Sequence, residues 1–177
     1  MAYMLSVGER SEPNVEVHKF YGGTILGVSL LALVFQAILH KYGRWAQWID
    51  LPLLVTIYFG VSRRNPVTGL FLGGGIGIAQ DALSHDNPIG MYGIAGTIVG
   101  YLASSIGARI DTEHPLARLG LVFCFFHFHQ AILAITQRVL LNHPEPFFTL
   151  RLLLDSVITA GVGVFLFALL DRLRKPS

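Results

Sequence analysis

Long apolar stretches separated by short charged or proline-bearing breaks organise this chain from about residue 19 onward. A membrane-crossing helix needs about 20 mostly apolar residues, and most segments between breaks approach that length. The pattern predicts six spans, at about residues 20–41, 51–62, 66–84, 89–109, 116–141 and 147–170. The second is the shortest, only about 18 Å of helix at 1.5 Å per residue against a hydrocarbon core of about 30 Å. Asp50 suits its N-cap and Pro52 its first turn, so a short helix surrounded by protein is expected. Tyr21, Tyr42, Trp45 and Trp48 fall where interfacial aromatic belts form, and Gln36 and His40 lie near the far end of the first span, within reach of water.

Within this pattern the stretch from Asn65 to Arg109 is the most specific. Gly69, Gly73 and Gly77 are spaced four apart, which lays a glycine groove along one helix face and lets another helix backbone approach closely. Gln80 and Asp81 follow at the end of the groove. The polar run His85-Asp86-Asn87-Pro88 then reverses the chain into a helix with small residues at Gly96, Gly100 and Ser104. A tight membrane hairpin with one ionisable group inside it is expected.

Composition agrees with the periodicity. Of 177 residues, 53% are hydrophobic and 14% charged, outside the soluble globular range. A net charge of +2, carried by basic residues standing singly or in pairs at helix ends, excludes nucleic-acid binding as a reading. The lone Cys124, in an apolar run, allows no intramolecular disulfide and is expected to be a packing residue. Residues 1–18 read as a cytoplasmic tail without a cleavable signal, residues 19–173 as one transmembrane domain, and residues 174–177 as a second tail. Six spans put both termini on one side. Nine basic residues fall on that side (Arg10, Lys19, Arg63, Arg64, Arg109, Arg118, Arg172, Arg174, Lys175) and four opposite (Lys41, Arg44, Arg138, Arg151), which points to cytoplasmic termini. The two three-span halves share no motif, so an inverted-repeat transporter is not indicated.

Three intramembrane carboxylates are candidate polar sites: Asp50, Asp81 and Asp155. A charge at mid-depth costs at least about 2.5 kcal/mol. Asp81, about one turn from the turn residues, is expected either to bond the adjoining turn or to present a polar contact to a partner. Asp155 follows Arg151 by four residues and is expected to be neutralised locally. Asp81 and Asp155 belong near the same side and could form a carboxylate pair, but no third group supports catalysis. His127 and His129, two apart, point to opposite helix faces and cannot chelate one metal from this helix. The run GLFLGGGIG has no Lys-Ser/Thr sequel and follows no strand, so helix packing outranks a phosphate loop. No serine-hydrolase elbow is present. The residues therefore predict an all-α polytopic membrane bundle with no enzymatic activity, cofactor or metal.

The order Asp50-Leu51-Pro52-Leu53-Leu54-Val55, Tyr58-Phe59-Gly60, Gly69, Gln80-Asp81-Ala82-Leu83-Ser84, Gly90 and Thr97-Ile98-Val99-Gly100-Tyr101-Leu102 resembles the rod shape-determining protein MreD family. The resemblance covers Asp50 to Arg109 best. It implies a bacterial inner-membrane, multi-pass subunit of the cell-elongation machinery, working with the bitopic protein MreC. Through MreC it would work with MreB filaments, a SEDS glycosyltransferase and a class B penicillin-binding transpeptidase. Asp50, Gly69, Gln80, Asp81, Gly90, Gly100 and Tyr101 would be its recurring residues. Gly69, Gly73, Gly77, Gln80, Asp81, Gly96 and Gly100 are the candidates for packing or partner binding. The family is also similar in fold to substrate-binding subunits of energy-coupling-factor transporters. That similarity supplies an alternative, a small-molecule-binding subunit with Asp81, Asn87, Tyr92 and Asp155 nearest an outer pocket.

Overall fold

The computed structural model describes residues 22–42, 48–84, 88, 90–107, 109, 114–141 and 149–173. The tails at 1–18 and 174–177 lie outside the described residues, as do Tyr21, Arg44, Trp45, His85 to Asn87 and the side chains of His40 and Tyr42. The described residues form six helices: α1 Gly22–Tyr42, α2 Leu51–Arg63, α3 Pro66–Leu83, α4 Met91–Gly107, α5 Pro115–Leu141 and α6 Leu150–Asp171. Three of them, α1, α5 and α6, are long and apolar enough to cross a membrane. The 13, 18 and 17 residues of α2, α3 and α4 give only about 20 to 27 Å of helix.

The shortest helix is the most central, with α2 touching each of the other five. Every residue from Pro52 to Ser62 is buried. A helix that is apolar all round needs protein or lipid on every side, and α2 has protein on all of them. By contrast α1 buries only one stripe, Ile25, Ser29, Ala32, Leu33 and Gln36, and exposes Leu26, Leu30, Leu31, Val34, Phe35 and Ile38.

Local chemistry sets the helix ends. The Asp50 side chain accepts from the Leu53 N–H at 3.1 Å, and Pro52 occupies the first turn. Arg64 ends α2 in the left-handed region (φ 54°) while its N–H bonds the Gly60 carbonyl. Asn65 then caps α3 at once, accepting from Val67 and Thr68. Only Arg64 and Asn65 therefore separate α2 from α3.

Two sequence expectations are corrected. Cys124 is exposed rather than packed, because it falls on the outward face of α5, beside Gly120 and Phe128 at helical spacing. Gln36 does not look to water but is buried. Its amide donates to the Ile49 carbonyl at 3.0 Å and accepts from the Leu51 N–H at 3.2 Å, tying α1 to the chain leading into α2.

Candidate functional site

The hairpin α3–α4 is closed through absent side chains. A Cβ placed on Gly69 would overlap Ser104 and the Gly100 carbonyl, one on Gly73 the Gly96 carbonyl, and one on Gly77 the Tyr92 carbonyl. Reciprocally, a Cβ on Gly96 or Gly100 would overlap the carbonyl of Gly73 or Gly69. The two backbones therefore touch along three turns, where apolar burial alone gives no advantage over lipid and close packing supplies the attraction. The groove is filled by this chain's own α4, which leaves none of its length for an outside helix. Gly75 differs from its neighbours, with nothing within 4 Å of its Cβ position.

Asp81 seals the end of that contact nearest the turn between α3 and α4. The residue is 1% exposed, and its carboxylate accepts from three backbone N–H groups, of Gly90 at 3.0 Å, Tyr92 at 3.0 Å and Gly93 at 2.9 Å. These donors belong to the start of α4, which would otherwise be unsatisfied, and the negative charge meets the positive end of the helix dipole. An acid on one helix thus caps the next, nine to twelve residues later. Gly90 makes this geometry affordable with φ +108°, a conformation that side chains rarely adopt. Gln80 is half-buried, and its carbonyl accepts from Ser84 at the end of α3.

A second polar group gathers around the start of α2. The second carboxylate oxygen of Asp50 lies 3.9 Å from Nδ1 of His129 on α5, beyond hydrogen-bond distance. That nitrogen is buried without a hydrogen-bond partner. The His129 ring stacks on Tyr92, centroids 6.1 Å apart, which links the neighbourhood of Asp50 to that of Asp81. Thr159 of α6 donates to the Trp48 carbonyl at 2.8 Å. His127, on the other face of α5, instead bonds the Phe123 carbonyl of its own helix.

At the opposite end of α2, Asp171 joins three helices. Arg118 of α5 is 2.7 Å from one carboxylate oxygen, and the Tyr58 hydroxyl of α2 donates to the other at 2.8 Å. From the sequence alone Arg118 counts only among the basic residues at helix ends, and Asp171 has no assigned role. A signal was available: an acid at a helix C-terminus opposes the dipole and needs a cation.

Asp155 lies 3.9 Å from Arg151 through Nε, and its other oxygen is buried without a hydrogen-bond partner. It does not meet Asp81, since α3 and α6 make no contact among the described residues. The carboxylate pair entertained from sequence is therefore not formed. No cluster of three or more His, Cys, Asp or Glu side chains that could hold a metal occurs among the described residues.

The sequence model of the family described as rod shape-determining protein MreD matches residues 18–173 of the 177. No curated protein and no solved structure matches the chain.

Proposed function

Because the chain belongs to the MreD family, a family of rod-shape-determining membrane proteins, we propose that it is a non-enzymatic scaffold of the bacterial cell-elongation complex. In this reading residues 19–173 form one membrane domain whose six helices cross the inner membrane, with the tails 1–18 and 174–177 in the cytoplasm. Support comes from the distribution of Lys and Arg. It comes also from α2, α3 and α4, whose shortness is tolerable because neighbouring protein covers much of their surface.

The scaffold holds an MreC-like bitopic protein and, through it, the MreB filaments and the wall-building glycosyltransferase and transpeptidase. Gly75 is the observation that carries this reading. Gly69, Gly73 and Gly77 are consumed within the hairpin, whereas Gly75 stands on the exposed side of α3 with open space around it, near exposed Phe71 and Ile78. A glycine there gives a partner's transmembrane helix close backbone approach to a face that the hairpin holds rigid.

Co-purification of an MreC-like partner with the full chain tests the proposal. Gly75→Leu should abolish capture while membrane insertion and thermal stability in detergent stay unchanged. Normal capture by that variant, together with normal rod shape, overturns the docking face. The transporter alternative gains no support from geometry, since Asp81, its nearest ligand group, is spent on three backbone N–H groups.

A further inference from the structure

The link between α2 and α3 carries a feature that neither packing nor the scaffold reading uses. Arg64 is the one non-glycine residue with positive φ among the described residues. Glycine is the usual occupant of such a helix-ending position, because a side chain there is strained. At least one donor of the arginine side chain is nevertheless left unused. Its Nη1 is buried with no hydrogen-bond partner, and so is Nε of the adjacent Arg63. A guanidinium donor removed from water without an acceptor is costly.

Attraction to the negative end of α2 gives each cation a favourable field, but a field does not satisfy the N–H groups. Two described acceptors are occupied: the Asn65 side chain by Val67 and Thr68, and Asp171, which meets Tyr58 of α2, by Arg118 and Tyr58. With two residues between helices that both enter the bilayer, Arg63 and Arg64 sit at headgroup depth. By the charge distribution they lie on the cytoplasmic leaflet. Two forked donors at that depth match the oxygens of a phosphate.

We propose that Arg63 and Arg64 bind the headgroup phosphate of an anionic phospholipid at the α2–α3 link. This rests on α2 and α3 crossing the membrane as proposed above. Labelling of an Asn65→Cys variant, in a Cys124→Ser background, by a membrane-impermeant maleimide checks that premise separately. Reaction from the cytoplasmic side alone upholds the placement whatever the lipid result.

Arg64→Gly suits the binding test because it relieves the backbone while removing the guanidinium. The full chain, purified in detergent, is supplied with phosphatidylglycerol, phosphatidylcholine or inorganic phosphate, and bound lipid is counted by native mass spectrometry alongside the thermal midpoint. Phosphatidylglycerol should bind the unaltered chain preferentially and raise its midpoint. Binding should weaken about fivefold in Arg64→Gly and again in Arg63→Gln, while the lipid-free midpoint of Arg64→Gly stays equal or rises. Equal binding of phosphatidylglycerol by chain and variants overturns the proposal, as does saturation by inorganic phosphate alone. A lower lipid-free midpoint in Arg64→Gly also overturns it, because the acceptor would then lie within the chain. Loss of an acidic protein partner with lipid binding unchanged would do the same.

Discussion

The hairpin α3–α4 and the pair α5–α6 are both antiparallel helix pairs, yet they are held by opposite means. In the first, glycines face glycines and the backbones touch, with one carboxylate sealing the end. In the second, side chains fill the space, much of each helix is exposed to its surroundings, and polar bonds fasten the pair to α2 at Asp171 and to the segment leading into α2 at Thr159. The difference follows from length. The helices of the hairpin, about 25 to 27 Å long, are sheltered by neighbours. Those of α5 and α6, about 33 to 40 Å long, can face lipid directly. A contact made by backbones tolerates no added atom, whereas one made by side chains can repack.

Substitutions should separate the two regimes most sharply at Gly73. A leucine there would meet the Gly96 backbone, which cannot yield, so Gly73→Leu should cost more than about 3 kcal/mol and leave little folded protein in a thermal unfolding assay. Asp81→Ala comes next. It strips the acceptor from one buried and two partly buried N–H groups, and at about 1 to 3 kcal/mol for a buried unsatisfied donor, a loss of about 3 kcal/mol is expected. Asp81→Asn, retaining one acceptor oxygen, should lose about half as much.

Smaller effects belong to the second pair. Tyr58→Phe removes one bond to Asp171 but leaves Arg118 in place, and should cost about 1 kcal/mol by the same measurement. Gly161→Leu, on the exposed side of α6 with nothing within 4 Å of its Cβ position, should change stability by less than about 0.5 kcal/mol. If Gly161→Leu proved as damaging as Gly73→Leu, the contrast between the pairs would be lost.

Much of this architecture was legible along the chain. Apolar run lengths located the helices, Asp50 stood where a cap belongs, and the four-residue glycine spacing foretold a close helix contact. These features depend on neighbours within one turn or on solvent exposure of whole segments, so the linear order contains them. Other features required the fold. The occupant of the glycine groove, the three donors to Asp81, the bridge from Gln36 to the start of α2, the outward turn of Cys124 and the junction of Tyr58 with Asp171 were fixed only by tertiary packing. The last of these spans 113 positions. The physical reason is that helix periodicity gives the angle of each side chain about its own axis. It carries no information about which helix stands opposite, and in lipid, where apolar faces are satisfied everywhere, shape and hydrogen bonding make that choice.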